Sequence, residues 1–413
     1  MAPRTEPHRA EVIHLSSAHQ ADDPRIFWRE CVGLARAGYA VAFVVPDPRS
    51  AEECRATRRH GVDIVPVRRR SGRLARMAGT TAEVVLAGLR RGGVVYHFHD
   101  PELIPWGVLL RLLGKRVVYD VHEDLPLDIL TKDWIPPILR RLVSHAAAGA
   151  EWTAGRLLSG VVAATPTIGR RFPPGRTVLV QNYPPAPAAA GVSGIPYRER
   201  QGIAYAGGLT QDRCIVEIVG AMGRLDGFPE ARLLLAGSAD PPSLLDALAA
   251  MPGWARADYR GHQDRPGIER LYGESRLGLA LYRPQRNYME SQPLKIFEYM
   301  AAGIPVLAAD FPAFRDLVER NGCGLCVPPR DETAIAAAIG WLLGHPEEAE
   351  EMGRRGRSLV EGSLNWESQE RELVRLYERL LGPPQRLGGV LAADPAGTAG
   401  PRLGKGTDHA GAR

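Results

Sequence analysis

Cysteine, lysine and long apolar runs are what this 413-residue sequence has least of. Cysteine occurs only at positions 31, 54, 214, 323 and 326, and only the last two are close together, as CGLC. One Cys-x-x-Cys offers two of the four ligands of a structural zinc. The sequence has no second pair, so this one reads as a turn between strands. A disulfide-stapled framework is excluded, and the chain reads as reduced and cytoplasmic. The opening MAPRTEPHRAEVIHL has no apolar core of signal-peptide length. No uninterrupted apolar run approaches the ~20 residues a transmembrane helix needs. Lysine stands only at 115, 132, 295 and 405, so arginine carries nearly all of the net charge of +5. Heavy use of Arg, Ala, Gly and Pro is what a G+C-rich genome encodes, and it makes the basic balance read first as a solvated surface. Attraction to phosphate, on a sugar nucleotide or a membrane face, is the functional alternative.

What is present is α/β periodicity. EVIHLSS, YAVAFVVP, VDIVPVR, VVYHFHD, KRVVYDVHED, LSGVVAATP and RTVLVQNYP read as strands, with helical stretches such as PRIFWRECVGLARAG among them. QGIAYAGG, ARLLLAGS, ADYRG, LGLALYRP and IPVLAAD begin a second alternating series. Strand, helix, strand at this spacing predicts parallel sheets covered on both faces. At 413 residues, two domains are expected. The Pro-, Ala- and Gly-rich stretch 183–198 reads as the linker between them. From 383 the sequence lacks periodicity and reads as a disordered tail.

In open parallel sheets, ligands bind beyond the carboxyl ends of the strands. Ser16, Ser17, His19 and DDPR follow the first strand, His97, His99, Asp100 and Glu102 lie around the end of a later one, and His122, Glu123 and Asp124 follow the next. In the second series AYAGGLTQDR brings Gly207, Gly208 and Arg213 to a strand end. The stretch MESQPLKIFEYMAAGIPVLA, 289–308, has two acids, Glu290 and Glu298, with seven residues between them. Pro293 fits the start of a helix, on which Leu294, Phe297 and Ala301 predict an apolar face. Free N–H groups at that helix start suit a diphosphate, and Lys295 and Arg213 add charge-assisted bonds. Glu298 suits the two hydroxyls of a ribose. Taken alone, both glutamates also read as ordinary helix-surface acids.

The stretch 289–308 resembles the Glu-x7-Glu motif, in its PLK-FEYMAAG-PV form, of the retaining nucleotide-sugar glycosyltransferases of family four, which have the GT-B fold. DDPRIFWRE, HFHDPELIP, VVYDVHED, YAGGLTQDR, CGLCVPPRD and the NWE of 365–367 extend the resemblance in order to about residue 382. The resemblance implies an α/β GT-B chain, two doubly wound Rossmann-like domains facing each other across a cleft. It implies an acceptor-binding domain over 9–182, the linker 183–198, a nucleotide-sugar donor domain over 199–364, a helix over 365–382 returning to the first domain, and the tail 383–413.

It further implies residue roles. His122, Glu290, Arg213 and Lys295 would act on the reacting groups, with Glu290 at the donor sugar, Arg213 at the diphosphate and His122 near the reactive centre. Glu298 would take the ribose, and Gly207, Gly208, Ser291 and Leu294 would complete the donor seat. Ser17, Arg25, His99 and Asp100 would face the acceptor. The expected reaction is front-side transfer with retention, with the leaving phosphate taking the acceptor proton. It needs no metal and no cofactor beyond a UDP- or GDP-linked sugar. The acceptor stays open among small molecules, glycans and lipid-linked molecules, and no nucleic-acid partner is expected. The basic loop 68–77, RRRSGRLARM, suggests peripheral contact at the inner membrane face, against the plain reading of a solvated loop. The family's arginine is replaced by Gly208, and its Gly-Gly loop after strand one by SSAHQADDPR. A two-domain sugar-nucleotide 2-epimerase and a non-catalytic sugar-nucleotide-binding protein are the alternatives.

Overall fold

The computed structural model describes residues 10–47, 56–72, 75–132, 135–186 and 194–384. The tail expected from 383 lies outside them beyond 384, as do residues 187–193 of the expected linker and 73–74 of the basic loop. Fourteen strands are present among the described residues: β1 Val12–Leu15, β2 Val41–Asp47, β3 Thr57–Arg59, β4 Val62–Arg68, β5 Val95–Phe98, β6 Arg116–Val121, β7 Gly160–Ala163, β8 Thr177–Leu179, β9 Gly202–Ala206, β10 Arg232–Ala236, β11 Ala257–Tyr259, β12 Ser275–Ala280, β13 Val306–Ala309 and β14 Gly324–Val327. They form an eight-stranded sheet in the order β3-β4-β2-β1-β5-β6-β7-β8 and a six-stranded sheet in the order β11-β10-β9-β12-β13-β14. The second sheet is parallel throughout. In the first, β3 runs antiparallel to β4. Runs such as VAFVVPD, buried at every position, form because both faces of a parallel sheet are covered.

The chain divides into two compact units. Of the described residues, one comprises those up to Asp120, Leu157–Ser159 and those from Val374 to 384. The other comprises Val121–Arg156 and Gly160–Leu373. In the first unit, the end of the helix Trp366–Leu381 is anchored by polar contacts: Tyr377 Oη lies 2.8 Å from His97 Nδ1, and Arg116 donates to the Leu380 carbonyl. In the second unit, the start of the same helix is bonded to the segment after β8. Trp366 N donates to Pro184 O at 2.8 Å and Gln181 N to Gln369 Oε1 at 2.9 Å.

Candidate functional site

The helix Leu294–Ala301 starts after Pro293, and no side chain caps its first turn. Its buried residues are Lys295, Ile296, Phe297, Tyr299 and Met300; of the face the sequence predicts, Phe297 is buried and Ala301 packs partly buried against the core, while Leu294 does not pack. Leu294 lies on the exposed side, because the helix turns toward the sheet through Ile296 and Tyr299. Tyr299 lies flat on Gly278 of β12, where an added Cβ would meet its ring at 2.2 Å. Its hydroxyl donates to Leu279 O at 3.2 Å and accepts from Ala206 N at 3.3 Å. The helix is thereby tied to the ends of β9 and β12.

This seating carries Lys295 inward. Its Nζ lies 4.0 Å from the centroid of the Tyr205 ring and 5.4 Å from that of Tyr282. The residue is 7% exposed, and Nζ has no hydrogen-bond partner among the described residues. A buried cation that rests on ring faces without a hydrogen-bond acceptor among the described residues is costly. Burial first, and then the charge of Arg213, press its pKa down to about 7, with Glu298 pulling the other way.

The glycine turn after β9 lies beside this amine. A Cβ on Gly207 would stand 3.1 Å from Arg213 Nη1 and 3.6 Å from Lys295 Nζ. Arg213 Nη1 also donates to Gly208 O at 3.5 Å, and Tyr205 Oη donates to the same oxygen at 2.8 Å. Gly207 sits at φ +134° and Gly237, after β10, at φ +142°, regions that a side chain rarely adopts. A Cβ on Gly237 would meet the Gly207 carbonyl oxygen at 2.0 Å. Gly237→Ala is therefore expected to displace the Gly207 turn and cost about 1–3 kcal/mol of stability. A melting curve with denaturant titration measures it, and an unchanged midpoint would contradict the close-packed turn. Bare backbone, two cations and an uncapped helix start form a seat for a compact polyanion.

One turn further on, Glu298 is 29% exposed at its side chain. Its Oε2 accepts from Tyr272 Oη at 3.0 Å, and Oε1 lies 3.9 Å from Arg265 Nη1. Tyr272 meets Tyr299 edge-on, ring centroids 5.2 Å apart. The carboxylate is thus fixed in orientation and still open to hydroxyl donors. Glu290 and Ser291 precede the helix and line a cavity of about 370 Å³ within the second unit. His122, Asp124, Thr165 and Asn182 line the same space. The structure therefore gathers Gly207, Gly208, Arg213 and Lys295 in one place, and His122, Glu290 and Ser291 around one cavity.

The residues expected at the acceptor form another group, in the first unit. Asp100 Oδ2 accepts from Ser16 Oγ at 2.8 Å and from Ser17 N at 2.7 Å. Asp100 Oδ1 lies 3.1 Å from His19 Nδ1. Burial alone would raise the Asp100 carboxyl, but the His19 contact and the Ser17 and Ser16 donors hold it well below the usual carboxylate range. His99 and Arg25 are buried at this end of the sheet, both joined to Asp120: His99 Nδ1 is 3.1 Å from Asp120 Oδ2 and Arg25 Nη2 3.1 Å from Oδ1. His99 Nε2 meets His14 Nδ1 at 2.9 Å, and Arg25 Nε lies 3.1 Å from Glu30 Oε1.

Among the described residues, His14, Glu30, His97 and His99 bring donor atoms within 4.8 Å of one another, close enough to consider a shared ion. Burial, and then the charge of Asp120, push the Glu30 carboxyl well up, with Arg25 opposing. Sequence reading missed Asp120, Glu30 and His14 here and Tyr205 and Tyr272 at the polyanion seat. Only the strand register, which sets His14 beside His97, carried a signal.

Residues 200–345 match the model of the family described as Glycosyl transferases group 1. The chain is 31% identical over 93 residues to the MMP alpha-(1->4)-mannosyltransferase of Mycolicibacterium hassiacum, covering 22% of this chain and 23% of that protein. It is 25% identical over 296 residues to a phosphatidyl-myo-inositol mannosyltransferase of Mycobacterium leprae, covering 69% of this chain and 73% of that protein. The match thus spans under a quarter of the first relative's length and nearly three quarters of the second's. The structure of Anabaena HepE in complex with UDP superposes with a TM-score of 0.67 at 14% identity, over 89% of this chain and 100% of that one. The fold is GT-B, as the motifs led one to expect.

Proposed function

We propose that the chain, whose residues 200–345 match the Glycosyl transferases group 1 model and whose fold is GT-B, is a retaining glycosyltransferase using a nucleoside-diphosphate sugar. The observation that carries this reading is the convergence of Arg213 and buried Lys295 on the Gly207–Gly208 turn, one helical turn from Glu298. Two phosphates fit the glycine turn and its cations, and a ribose diol fits the Glu298 carboxylate. The UDP in the HepE structure supports a uridine or other nucleoside diphosphate in this seat. Glu290, Ser291 and His122 face the cavity where the donor sugar would lie.

Transfer breaks the bond from the anomeric carbon to the phosphate oxygen. The acceptor hydroxyl oxygen bonds to that carbon from the same face, and its proton passes to the leaving phosphate. Negative charge grows on the diphosphate, and Arg213 and Lys295 stabilise it without a metal. The acceptor is a hydroxyl compound, whether small molecule, glycan or lipid-linked. Among the described residues, no helix is long and apolar enough to cross a membrane. Incubation with UDP-, GDP- and dTDP-sugars and an acceptor panel, read by mass spectrometry and anomeric NMR, tests the proposal. A glycoside with the donor's anomeric configuration is expected. An inverted product contradicts the mechanism, and an epimerised donor without transfer favours the epimerase.

A further inference from the structure

Four titratable side chains lie inside the first unit, where a parallel sheet ordinarily buries apolar ones. β1 and β5 are neighbours, with His14 opposite His97, so both side chains leave the same face of the sheet. His99, two positions on, leaves that face too. Glu30, from the helical turn Ile26–Cys31, reaches the same spot. His14, Glu30 and His97 are 0% exposed and His99 2%, so none is open to an acceptor.

The far nitrogens of two of these rings are held in place. Asp120 Oδ2 lies 3.1 Å from His99 Nδ1. A carboxylate there takes the N–H and leaves the lone pair at Nε2. Tyr377 Oη, 2.8 Å from His97 Nδ1, is placed to accept in the same way. Such partners stand behind metal-bound histidines, fixing tautomer and ring orientation. His14 turns Nδ1 to His99 Nε2 at 2.9 Å, and its Nε2 has no hydrogen-bond partner among the described residues. Burial holds the His14 pKa well below the usual range, so the ring is neutral, the form that ligates. Neither oxygen of Glu30 accepts a hydrogen bond among the described residues, although Arg25 Nε stands 3.1 Å from Oε1. One guanidinium thus faces two buried carboxylates, Glu30 and Asp120, which leaves a place for a further cation.

We infer that His14, Glu30, His97 and His99 form a closed structural site for a divalent transition metal, zinc by preference. Three imidazoles and a carboxylate complete a four-ligand tetrahedral set with no thiolate and no open position. The donor atoms, within 4.8 Å of one another, have to close to about 3.3 Å, the spacing that Zn–N bonds of about 2.0–2.1 Å impose. Binding releases to solvent the proton that Glu30 or the His14–His99 contact holds without the ion. The ion ties β1 and β5 to the Ile26–Cys31 turn and takes no part in transfer, so it stands apart from the reading above. The rival state is a protonated Glu30 beside Asp120 with no ion.

The test is metal analysis, by inductively coupled plasma mass spectrometry, of the tag-free chain purified after growth with added zinc. About one zinc per chain is expected, falling at least about 10-fold in His14→Gln. That variant alters the core, so a second keeps its shape: Tyr377→Phe removes only the hydroxyl behind His97. Its zinc affinity, read by competition with a chromogenic chelator, is expected to fall about 10-fold. Cobalt supplied in place of zinc should give intense tetrahedral d–d bands without a thiolate charge-transfer band, which separates this site from Cys323 and Cys326. Substoichiometric zinc, a full zinc complement in His14→Gln, unchanged affinity in Tyr377→Phe or a thiolate band overturns the assignment.

Discussion

Lys295→Met is expected to lower turnover by about 10²–10³-fold, the cost of removing one donor aimed at growing negative charge, and to raise the stability of the unliganded chain. The two effects share one cause. Lys295 Nζ is buried over Tyr205 and Tyr282 with no hydrogen-bond partner among the described residues. Methionine fills similar space without a charge to desolvate. The pH dependence fixes the sign. The folded pKa, about 7, lies below the ordinary 10.5. Between these values the unfolded chain holds a proton that the folded chain does not. Stability of the wild type therefore rises with pH across that window, and this rise is absent from Lys295→Met. A bound diphosphate supplies the missing counter-charge, so binding near pH 8 should take up a proton. A variant with wild-type turnover and an unchanged melting profile would remove Lys295 from the site.

The second large effect concerns Glu298. Glu298→Ala is expected to weaken nucleoside-diphosphate binding at least about 100-fold, since two hydrogen bonds to a charged acceptor are lost. Inorganic pyrophosphate should bind both proteins alike, because its seat is the glycine turn with Arg213 and Lys295. The alanine variant also leaves the Tyr272 hydroxyl without its 3.0 Å acceptor, at a cost of about 1 kcal/mol of stability. Glu298→Gln keeps an oxygen for Tyr272 and should restore stability but only part of the affinity. Equal losses for pyrophosphate and nucleotide would mean that Glu298 merely shapes the loop.

Much of this was legible in the sequence for physical reasons. Strands buried on both faces appear as apolar runs broken by Gly and Pro, so the β9 run before Gly207 and the β12 run before the Glu290 loop were readable. What escaped depended on contacts remote in sequence. The Arg25–Asp120 pair spans 95 positions, and nothing local announces it. The helix Pro137–Leu157 escaped because its apolar residues face outward and its inner face is small and polar. The strand β3 is exposed at all three positions and carries no apolar signal. Lys295 was read as a cation at a helix start, but its burial follows from Tyr299 packing on Gly278, which only the fold displays.

The seat formed by the Gly207 turn, Arg213, Lys295 and Glu298 is most directly tested by calorimetric titration of the intact chain with UDP, GDP and dTDP near pH 8, in two buffers of different ionisation enthalpy. One nucleotide is expected to bind with proton uptake and with affinity lost in Glu298→Ala. No binding by any of the three at millimolar concentration would contradict it.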